Sequence, residues 1–246
     1  MDNLALFIAL ALLAEVLGTV GGFGSSLFFV PMAGYFLDFY SVLGITAIFH
    51  VSSNITKIFF FRGGINKKLV ISMGIPAVIC VIAGAYFSKF IDTRVLELAL
   101  AIFLIIISLV LIIFKKLIIK PTTTNSILGG SISGMIAGIV GTGGAIRGIT
   151  LAAFNLDKTI FIATSAVIDL GIDMSRSVVY FSNGFVHKHD LYLIPILLVV
   201  SIIGTMAGKK ILTYVSQKQF KSYVLGLILL VGLATLAKYF FNINIV

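Results

Sequence analysis

The 246-residue chain is 59% hydrophobic and only 11% charged, with a mean hydropathy of +1.16. A water-soluble domain of this length could not bury so much apolar surface, so we predict an all-α polytopic membrane protein without a soluble catalytic domain. The formal charge of +9 would suggest a nucleic-acid partner for a soluble protein. Here we expect no nucleic acid, and we assign the basic residues to loops that orient the chain in a lipid bilayer.

Eight apolar segments follow one another along the chain, four in each half. The first lacks a basic leader and a cleavage site, so we expect a retained span rather than a signal peptide. Cys80 in the third is the only cysteine, which excludes disulfides and a Cys-x-x-Cys site, and we expect neither a metal nor a cofactor. The segments are 4–36, 42–61, 69–90, 95–114, 126–155, 159–183, 190–212 and 219–241.

Segment 1 contains the glycine-rich stretch GTVGGFGSSLFFVP. As one straight helix its roughly 33 residues would span ~50 Å, against a hydrocarbon core of ~30 Å. We therefore predict a break, with a half-helix that starts near Ser25 and points its free N–H groups into a cavity, where they form an anion site. The candidate ligands there are Gly22, Gly24, Ser25 and Ser26.

Segment 2 carries His50, Asn54 and Lys57 at spacings that put all three on one helix face. Polar groups inside a span normally face a cavity or a partner, because they are costly in lipid. We assign Asn54 and Lys57 to the anion and His50 to proton transfer, with simple hydrogen bonding of His50 as the alternative. Glu15 of segment 1 or Asp169 of segment 6 could instead neutralise Lys57.

Segment 5 repeats the glycine pattern in GIVGTGGAIRGITL and adds a full positive charge at Arg147. A second half-helix is predicted to start near Ala145, with Thr142, Gly143 and Gly144 beside the anion. A P-loop is excluded because no Lys-Ser/Thr pair follows the glycines. Close helix packing is the alternative for three of the glycines: Gly18, Gly138 and Gly148.

Segment 6 carries Asp169, Asp173 and Arg176, again on one face. Asp169 and Asp173 are candidates for proton coupling, and Arg176 is a candidate for anion binding. The alternative for Asp173 and Arg176 is a structural ion pair. Lys57 and Arg147 have no acid at helical spacing on their own segments, which favours a substrate-facing role for both.

An ungapped shift of 120 residues maps the first four segments onto the last four. It aligns three glycines, Gly18, Gly21 and Gly24, with Gly138, Gly141 and Gly144. We predict two repeats, residues 1–120 and 121–246, within one membrane unit, since repeated halves are common in secondary transporters. Chance similarity between apolar, glycine-rich sequences is the alternative.

The basic residues distinguish between topologies. If all eight segments cross, the loop and end cations split eight against seven, which gives no orientation. If segments 1 and 5 enter and turn back, four lie on one side: Lys89, Arg94, Lys188 and Lys238. The other eleven share the opposite side: Arg62, Lys67, Lys68, Lys115, Lys116, Lys120, Lys158, Lys209, Lys210, Lys218 and Lys221.

The second split obeys the positive-inside rule. It predicts six crossings, two re-entrant hairpins and inverted repeats, with both termini outside. The cytoplasmic loops would be 62–68, 115–125 and 209–218. In this arrangement the two hairpin tips meet near the middle of the membrane. A broken first helix that crosses fully is the alternative.

The glycine block of segment 1, followed by ITAIFHVSSNITKIFFFRGGI, resembles the TauE/SafE family of sulfite exporters and related permeases. So does the second copy, in which SAVIDLGIDMSRSVVYFSNG follows the glycines. The chain departs from the family pattern at Phe23, where a glycine is common, and at Leu151, where a proline is expected. The matching positions are Gly21, Gly22, Gly24, Leu27, Pro31, 62–65, Gly138, Gly141, Gly143 and Gly144.

The resemblance implies a multi-pass protein of a prokaryotic inner or plasma membrane that moves sulfite, a sulfonate such as sulfoacetate, or another organic anion, with use of the proton gradient. We predict a proton-linked exporter of small sulfur-containing anions and not an enzyme. The alternatives are an anion channel and an intramembrane serine hydrolase with Ser25 as nucleophile and His50 as base. The substrate, the direction of transport and the oligomeric state stay open.

Overall fold

The structure, a computed structural model, describes residues 3–22, 24–61, 63–114, 119–214 and 217–241. All the regular structure in these ranges is helical, as the composition predicts. The helices are α1 (Leu4–Gly21), α2 (Ser26–Ala33), α3 (Phe39–Phe60), α4 (Lys67–Ser88), α5 (Thr93–Ile113), α6 (Thr123–Val140), α7 (Gly144–Ala152), α8 (Lys158–Ser182), α9 (Leu193–Leu212) and α10 (Gln217–Phe241).

Short polar residues start several of the long helices. The Asp38 carboxylate accepts a hydrogen bond from the Ser41 backbone N–H over 3.1 Å at the start of α3. Thr122 caps α6 in the same way. Such side chains satisfy backbone donors that have no partner inside the helix, and they fix where each crossing helix begins.

The first glycine cluster breaks segment 1 and reverses the chain. Helix α1 ends at Gly21, and the next residue, Gly22, has a left-handed φ of 71°, a conformation that glycine adopts without strain. A Cβ on Gly18 would overlap the backbone of Ser25, so the chain folds back tightly. The Phe7 ring near the start of α1 then lies 5.6 Å from the Phe36 ring beyond α2. Segment 1 is therefore a helical hairpin rather than one long helix.

The second cluster builds a matching hairpin from α6 and α7. Gly141, the residue after α6, has a left-handed φ of 81°. The Ser133 hydroxyl donates to the Gly143 carbonyl over 2.9 Å, across the two arms. A Cβ on Gly129 would overlap the Thr150 side chain farther down the same arms. The predicted break is thus confirmed in both halves, and in both the chain turns back.

One end of the molecule, which we call the terminal end, gathers the starts of α3 and α5 and the described end of α10. The Tyr40 hydroxyl donates to the Ile91 carbonyl over 2.7 Å. Lys238 Nζ pairs with Glu97 over 3.0 Å. Because Phe36 lies beside the start of α1, that helix begins at this end as well.

The opposite end, which we call the lysine-rich end, gathers the ends of α3 and α9 and the start of α8. Lys209 Nζ donates to the Phe60 carbonyl over 2.9 Å. The Asn66 N–H donates to Thr164 over 3.0 Å. Helices α3, α4, α5, α8, α9 and α10 therefore run between the two ends, and the hairpins do not.

This path separates the described cations as the hairpin topology requires. Lys89, Arg94, Lys188 and Lys238 flank the terminal end, and the other described loop and helix-end cations flank the lysine-rich end. Three of the cations named for the predicted topology lie outside the described residues: Arg62, Lys115 and Lys116. For two more, Lys218 and Lys221, the structure describes the helix but not the side chains.

The helices pack in pairs, and each pair joins one helix of the first half of the chain to one of the second; we call these the exchanged helix pairs. Helix α1 packs along α9, and α6 packs along α4, while α3 pairs with α8 and α5 with α10. Glycines make the first two contacts close. A Cβ on Gly204 or Gly208 would overlap α1, and one on Gly134 or Gly138 would overlap the α4 backbone. Close packing is thus confirmed for Gly138, whereas for Gly148 it stays a prediction.

Helix boundaries refine the register between the halves. The left-handed caps Gly22 and Gly141 are 119 residues apart, and so are Asp38 and Asp157, which precede α3 and α8. In this region an offset of 119 matches the structure better than the 120 read from the glycines. It holds on both sides of the turn, because the second turn is one residue shorter and the short helix after it is one residue longer.

The surface between the two ends is apolar. Among the described residues, five helices are long and apolar enough to cross a membrane, and α8 carries more charge than such a helix normally does. Large side chains such as Ile79, Ile106 and Val178 are more than half exposed. A soluble protein does not expose so many, and they fit contact with lipid tails. The chain is a multi-pass membrane protein.

Candidate functional site

A cavity lies where the two hairpin tips meet the middles of α3 and α8. The cavity volume is about 20 Å³, which is enough for one or two waters because each needs ~10–15 Å³. The lining residues are Gly24, Ser25, Ser26, His50, Ser53, Asn54, Lys57, Ala137, Gly141, Gly143, Gly144, Arg147, Asp169, Ile172, Asp173 and Arg176.

The two tips touch each other through side chains. Ser26 Oγ lies 3.1 Å from Thr142 Oγ1. The residues before the two short helices, Ser25 and Gly143, make no capping hydrogen bond through a side chain. The first N–H groups of α2 and α7 therefore face the junction without such a cap. Two helix N-termini directed at one small polar space favour a negative charge there.

Glu15 of α1 is the most heavily bonded buried acid. Its Oε1 lies 2.9 Å from Lys57 Nζ and accepts hydrogen bonds from Ser53 over 2.6 Å and from Thr205 over 2.9 Å. The Glu15 side chain is completely buried, and that of Lys57 is 8% exposed. Because Lys57 also donates to Ser53 over 2.7 Å, this ion pair is well satisfied. The prediction that Glu15 could neutralise Lys57 is confirmed.

Ser25 lies between Glu15 and His50. Its hydroxyl donates to Glu15 Oε2 over 2.6 Å and lies 3.0 Å from His50 Nε2. In a serine hydrolase the acid would bind the other ring nitrogen and leave the serine proton to the histidine. Here the Ser25 hydroxyl donates its hydrogen bond directly to the Glu15 carboxylate and not to His50. The geometry is that of a buried hydrogen-bonded chain, and not that of an activated nucleophile.

Arg147 of α7 forms an ion pair with Asp169 of α8, and its Nε lies 3.3 Å from the Ser165 hydroxyl. Lys57 and Arg147 thus both pair with acids from other segments, which spacing within one helix does not reveal. The Nη2 atom of Arg147 lies near Gly24 at the first tip, and no hydrogen bond to it is made by the described residues. Its donors are the strongest available to an anion in the cavity.

Arg176 uses most of its donors on neighbouring protein groups. Two of its nitrogens bind Asp173 at 2.7 Å, and its Nη1 donates to the Gly141 carbonyl over 2.7 Å at the end of α6. Asn54 donates to the second oxygen of Asp173 over 2.7 Å. The predicted structural pairing of Asp173 with Arg176 is confirmed, so Arg176 lines the cavity with few donors left for a ligand.

The offset of 119 aligns the polar stripes of α3 and α8. His50 then corresponds to Asp169, Asn54 to Asp173, and Lys57 to Arg176. With the offset of 120 these stripes are one residue out of register. The contact between Asn54 and Asp173 joins two such corresponding positions.

Twelve of the fourteen predicted site residues line this cavity. The other two lie just outside it. Gly22 ends α1, and a Cβ there would meet the ring of Phe161; Thr142 holds Ser26. Sequence reasoning left Ser53 out of the predicted site, although it stands in the polar run Ser-Ser-Asn of α3. It also did not place Glu15 beside Ser25.

Comparisons with known proteins agree with this architecture at the level of the family. No curated protein and no solved structure matches the sequence. The model of one family, "Sulfite exporter TauE/SafE", matches residues 7–235. The match spans both hairpins and nearly all of the described helices, which confirms the resemblance seen in the glycine blocks. The chain therefore belongs to the TauE/SafE family of sulfite exporters.

Proposed function

We propose that this protein is a secondary transporter that exports a small sulfur oxyanion of the sulfite class, or a small sulfonate, in a step linked to a proton. The family is one of transporters and not of enzymes, which supports the coarser part of this proposal. The observation that carries the finer part is the meeting of two helix N-termini with the Arg147 Nη2 donors, which have no hydrogen-bond partner among the described residues, in one buried space.

In the binding step, the anion lies between the tips of the two hairpins. Arg147 Nη2 and the first N–H groups of α7 hold it from one side, and the start of α2 with Ser26 holds it from the other. Backbone amides and a guanidinium fit an oxyanion because each oxygen accepts several donors. The small free volume favours a compact anion over a long organic one.

Charge balance explains why a proton would move with the anion. The cavity region holds three acids and three bases: Glu15, Asp169, Asp173, Lys57, Arg147 and Arg176. When all are ionised they cancel, so an entering monoanion adds an uncompensated charge in a low-dielectric space. A proton on His50 or Asp169 would restore neutrality. Sulfite itself carries a proton near neutral pH, so HSO₃⁻ is the species we expect in the site.

The helix path supports an alternating-access mechanism in a cell membrane. With the lysine-rich end in the cytoplasm, both termini lie outside and the hairpins are re-entrant. The exchanged helix pairs fit two inverted repeats that rock against each other around the fixed junction.

The decisive experiment measures substrate flux by the purified protein in proteoliposomes, because a monoanion that moves with one proton carries no net current. The panel is sulfite, thiosulfate, sulfoacetate and taurine, with acetate as a carboxylate control, each with and without a pH gradient. We expect the largest flux with sulfite, and uphill movement when a proton gradient is imposed. Flux that never exceeds equilibration would identify a channel instead. Equal responses to acetate and sulfite would refute the proposed selectivity.

A further inference from the structure

A second polar cluster lies at the terminal end, apart from the cavity. It consists of His187, His189 and Asp190 between α8 and α9, with Asp38 at the start of α3. His187 Nδ1 lies 3.4 Å from Asp38 Oδ2 and 3.9 Å from Asp190 Oδ2. His189 Nε2 lies 3.4 Å from Asp190 Oδ1. One ligand atom from each of the first three residues fits within 4.8 Å of the others.

These separations match the edges of a metal coordination shell. Zn²⁺ binds imidazole nitrogen and carboxylate oxygen at ~2.0–2.2 Å in a tetrahedron, so neighbouring ligand atoms stand about 3.4 Å apart. Two imidazoles and two carboxylates form a set that suits zinc and similar transition metals better than Mg²⁺ or Ca²⁺, which prefer oxygen alone.

Neighbouring groups hold the cluster in place. The side chain of Asp190 is only 3% exposed, and Ser41 donates a hydrogen bond to its Oδ2 over 2.7 Å. Asp38 uses Oδ1 to cap α3 and leaves Oδ2 directed at His187. Hydrogen-bonded carboxylates of this kind orient metal ligands, and a short 3₁₀ turn fixes the spacing from Lys188 to Asp190.

We propose that His187, His189 and Asp190 bind one transition-metal ion of the Zn²⁺ class, and that Asp38, whose Oδ2 lies 3.4 Å from His187 Nδ1, moves slightly to complete the coordination shell. Asp38 belongs to the first half of the chain and the other three belong to the second. The ion would therefore tie the two halves together at the terminal end, on the far side of the anion junction from the lysine-rich loops. This site is independent of the transported anion.

The test uses the full-length protein in detergent, purified with a tag that contains no histidine and stripped with a chelator. Zn²⁺ is then added, with Mg²⁺ as the control ion. We expect one bound zinc per chain by elemental analysis, and an unfolding temperature that rises with Zn²⁺ and not with Mg²⁺. A chelator should reverse the rise.

The variant pair H187Q/H189Q should weaken zinc binding at least tenfold, since it removes both nitrogen ligands. The unfolding temperature of the metal-free protein should change little, because both imidazoles are partly exposed. Asp157 is an exposed carboxylate at the lysine-rich end, so D157N is the matched control. It should bind zinc as the parent does. Absence of saturable zinc binding, or equal binding by H187Q/H189Q and the parent, would overturn the proposal.

Discussion

The two hairpins share a backbone design and carry opposite charges. In the first, the acid is on the hairpin and the base is on the crossing helix, as Glu15 of α1 pairs with Lys57 of α3. In the second, the base is on the hairpin and the acid is on the crossing helix, as Arg147 of α7 pairs with Asp169 of α8. The repeated fold therefore supplies two similar frames with different chemistry.

The two ion pairs, Glu15–Lys57 and Arg147–Asp169, differ in how fully hydrogen bonds use their polar atoms. The Glu15 carboxylate is fully buried and is surrounded by donors from α1, α3, α9 and the first tip. Arg147 keeps Nη2 donors without a hydrogen-bond partner among the described residues, and its acid is 14% exposed. We infer that the first pair mainly holds the junction together and that the second pair mainly meets the anion.

The largest effect that this comparison predicts is that of Arg147→Ala. Loss of the charged donors costs ~3 kcal/mol or more of anion binding, which lowers flux about a hundredfold or more, to background. The folded yield should stay intact, because Asp169 can take a proton and is partly exposed. Substrate flux in proteoliposomes and size-exclusion profiles measure the two properties.

R147A/D169N is the matched control, since it removes both charges of the pair. It should fold as well as Arg147→Ala and should also be inactive. Normal transport by Arg147→Ala would show that the second hairpin does not hold the anion.

Glu15→Gln changes the ion pair of the first hairpin and should destabilise the protein. It leaves Lys57 buried without its counter-ion, and breaking a buried pair in this way costs about 3–5 kcal/mol. Thermal unfolding in detergent measures the loss. Glu97→Gln, which breaks the more exposed pair with Lys238, should cost much less. Equal losses in the two variants would contradict the structural role of Glu15.

Much of the fold could be predicted because glycine, charge and hydropathy act locally. Clusters such as Gly21–Gly24 are too dense for a helix face, so the break itself is visible in the sequence. The Lys and Arg positions then favoured the turning-back path that the described contacts follow. The one-residue difference in register was hidden, because the dense glycine clusters align with each other at an offset of 119 as well as at 120.

Much of the site could also be predicted, since a charge within an apolar span marks a cavity or a partner. The ion-pair partner of each charged residue could not be predicted. Lys57 reaches back to Glu15, and Arg147 reaches to Asp169, and both contacts depend on how separate segments pack. Thr205 of α9 gave no signal, because one threonine in an apolar helix is ordinary until its hydroxyl is seen on Glu15.

A smaller effect tests the packing of the exchanged helix pairs. Gly134→Ala places a Cβ against the Ala77 carbonyl of the α4 backbone, which cannot move aside easily. We expect a loss of about 1–3 kcal/mol, typical of overpacking. Gly204→Ala meets the Glu15 side chain instead, so part of the strain can relax and the loss should be smaller. Gly226→Ala, which meets open space, is the control in the same unfolding assay. Equal losses at all three positions would argue against close packing.

The smallest effect should come from the contact between the hairpin tips. Thr142→Val keeps the shape of the side chain and removes the hydrogen bond with Ser26, which is worth about 1 kcal/mol, so the apparent affinity for sulfite should fall less than about tenfold. Ser26→Ala should do more, because it removes the same bond and a hydroxyl that lines the cavity. If the Thr142 variant loses affinity as severely as Arg147→Ala, then the anion depends on the alignment of the tips as much as on the guanidinium. The two hairpins would then contribute equally to binding, contrary to the division of roles inferred from their charges.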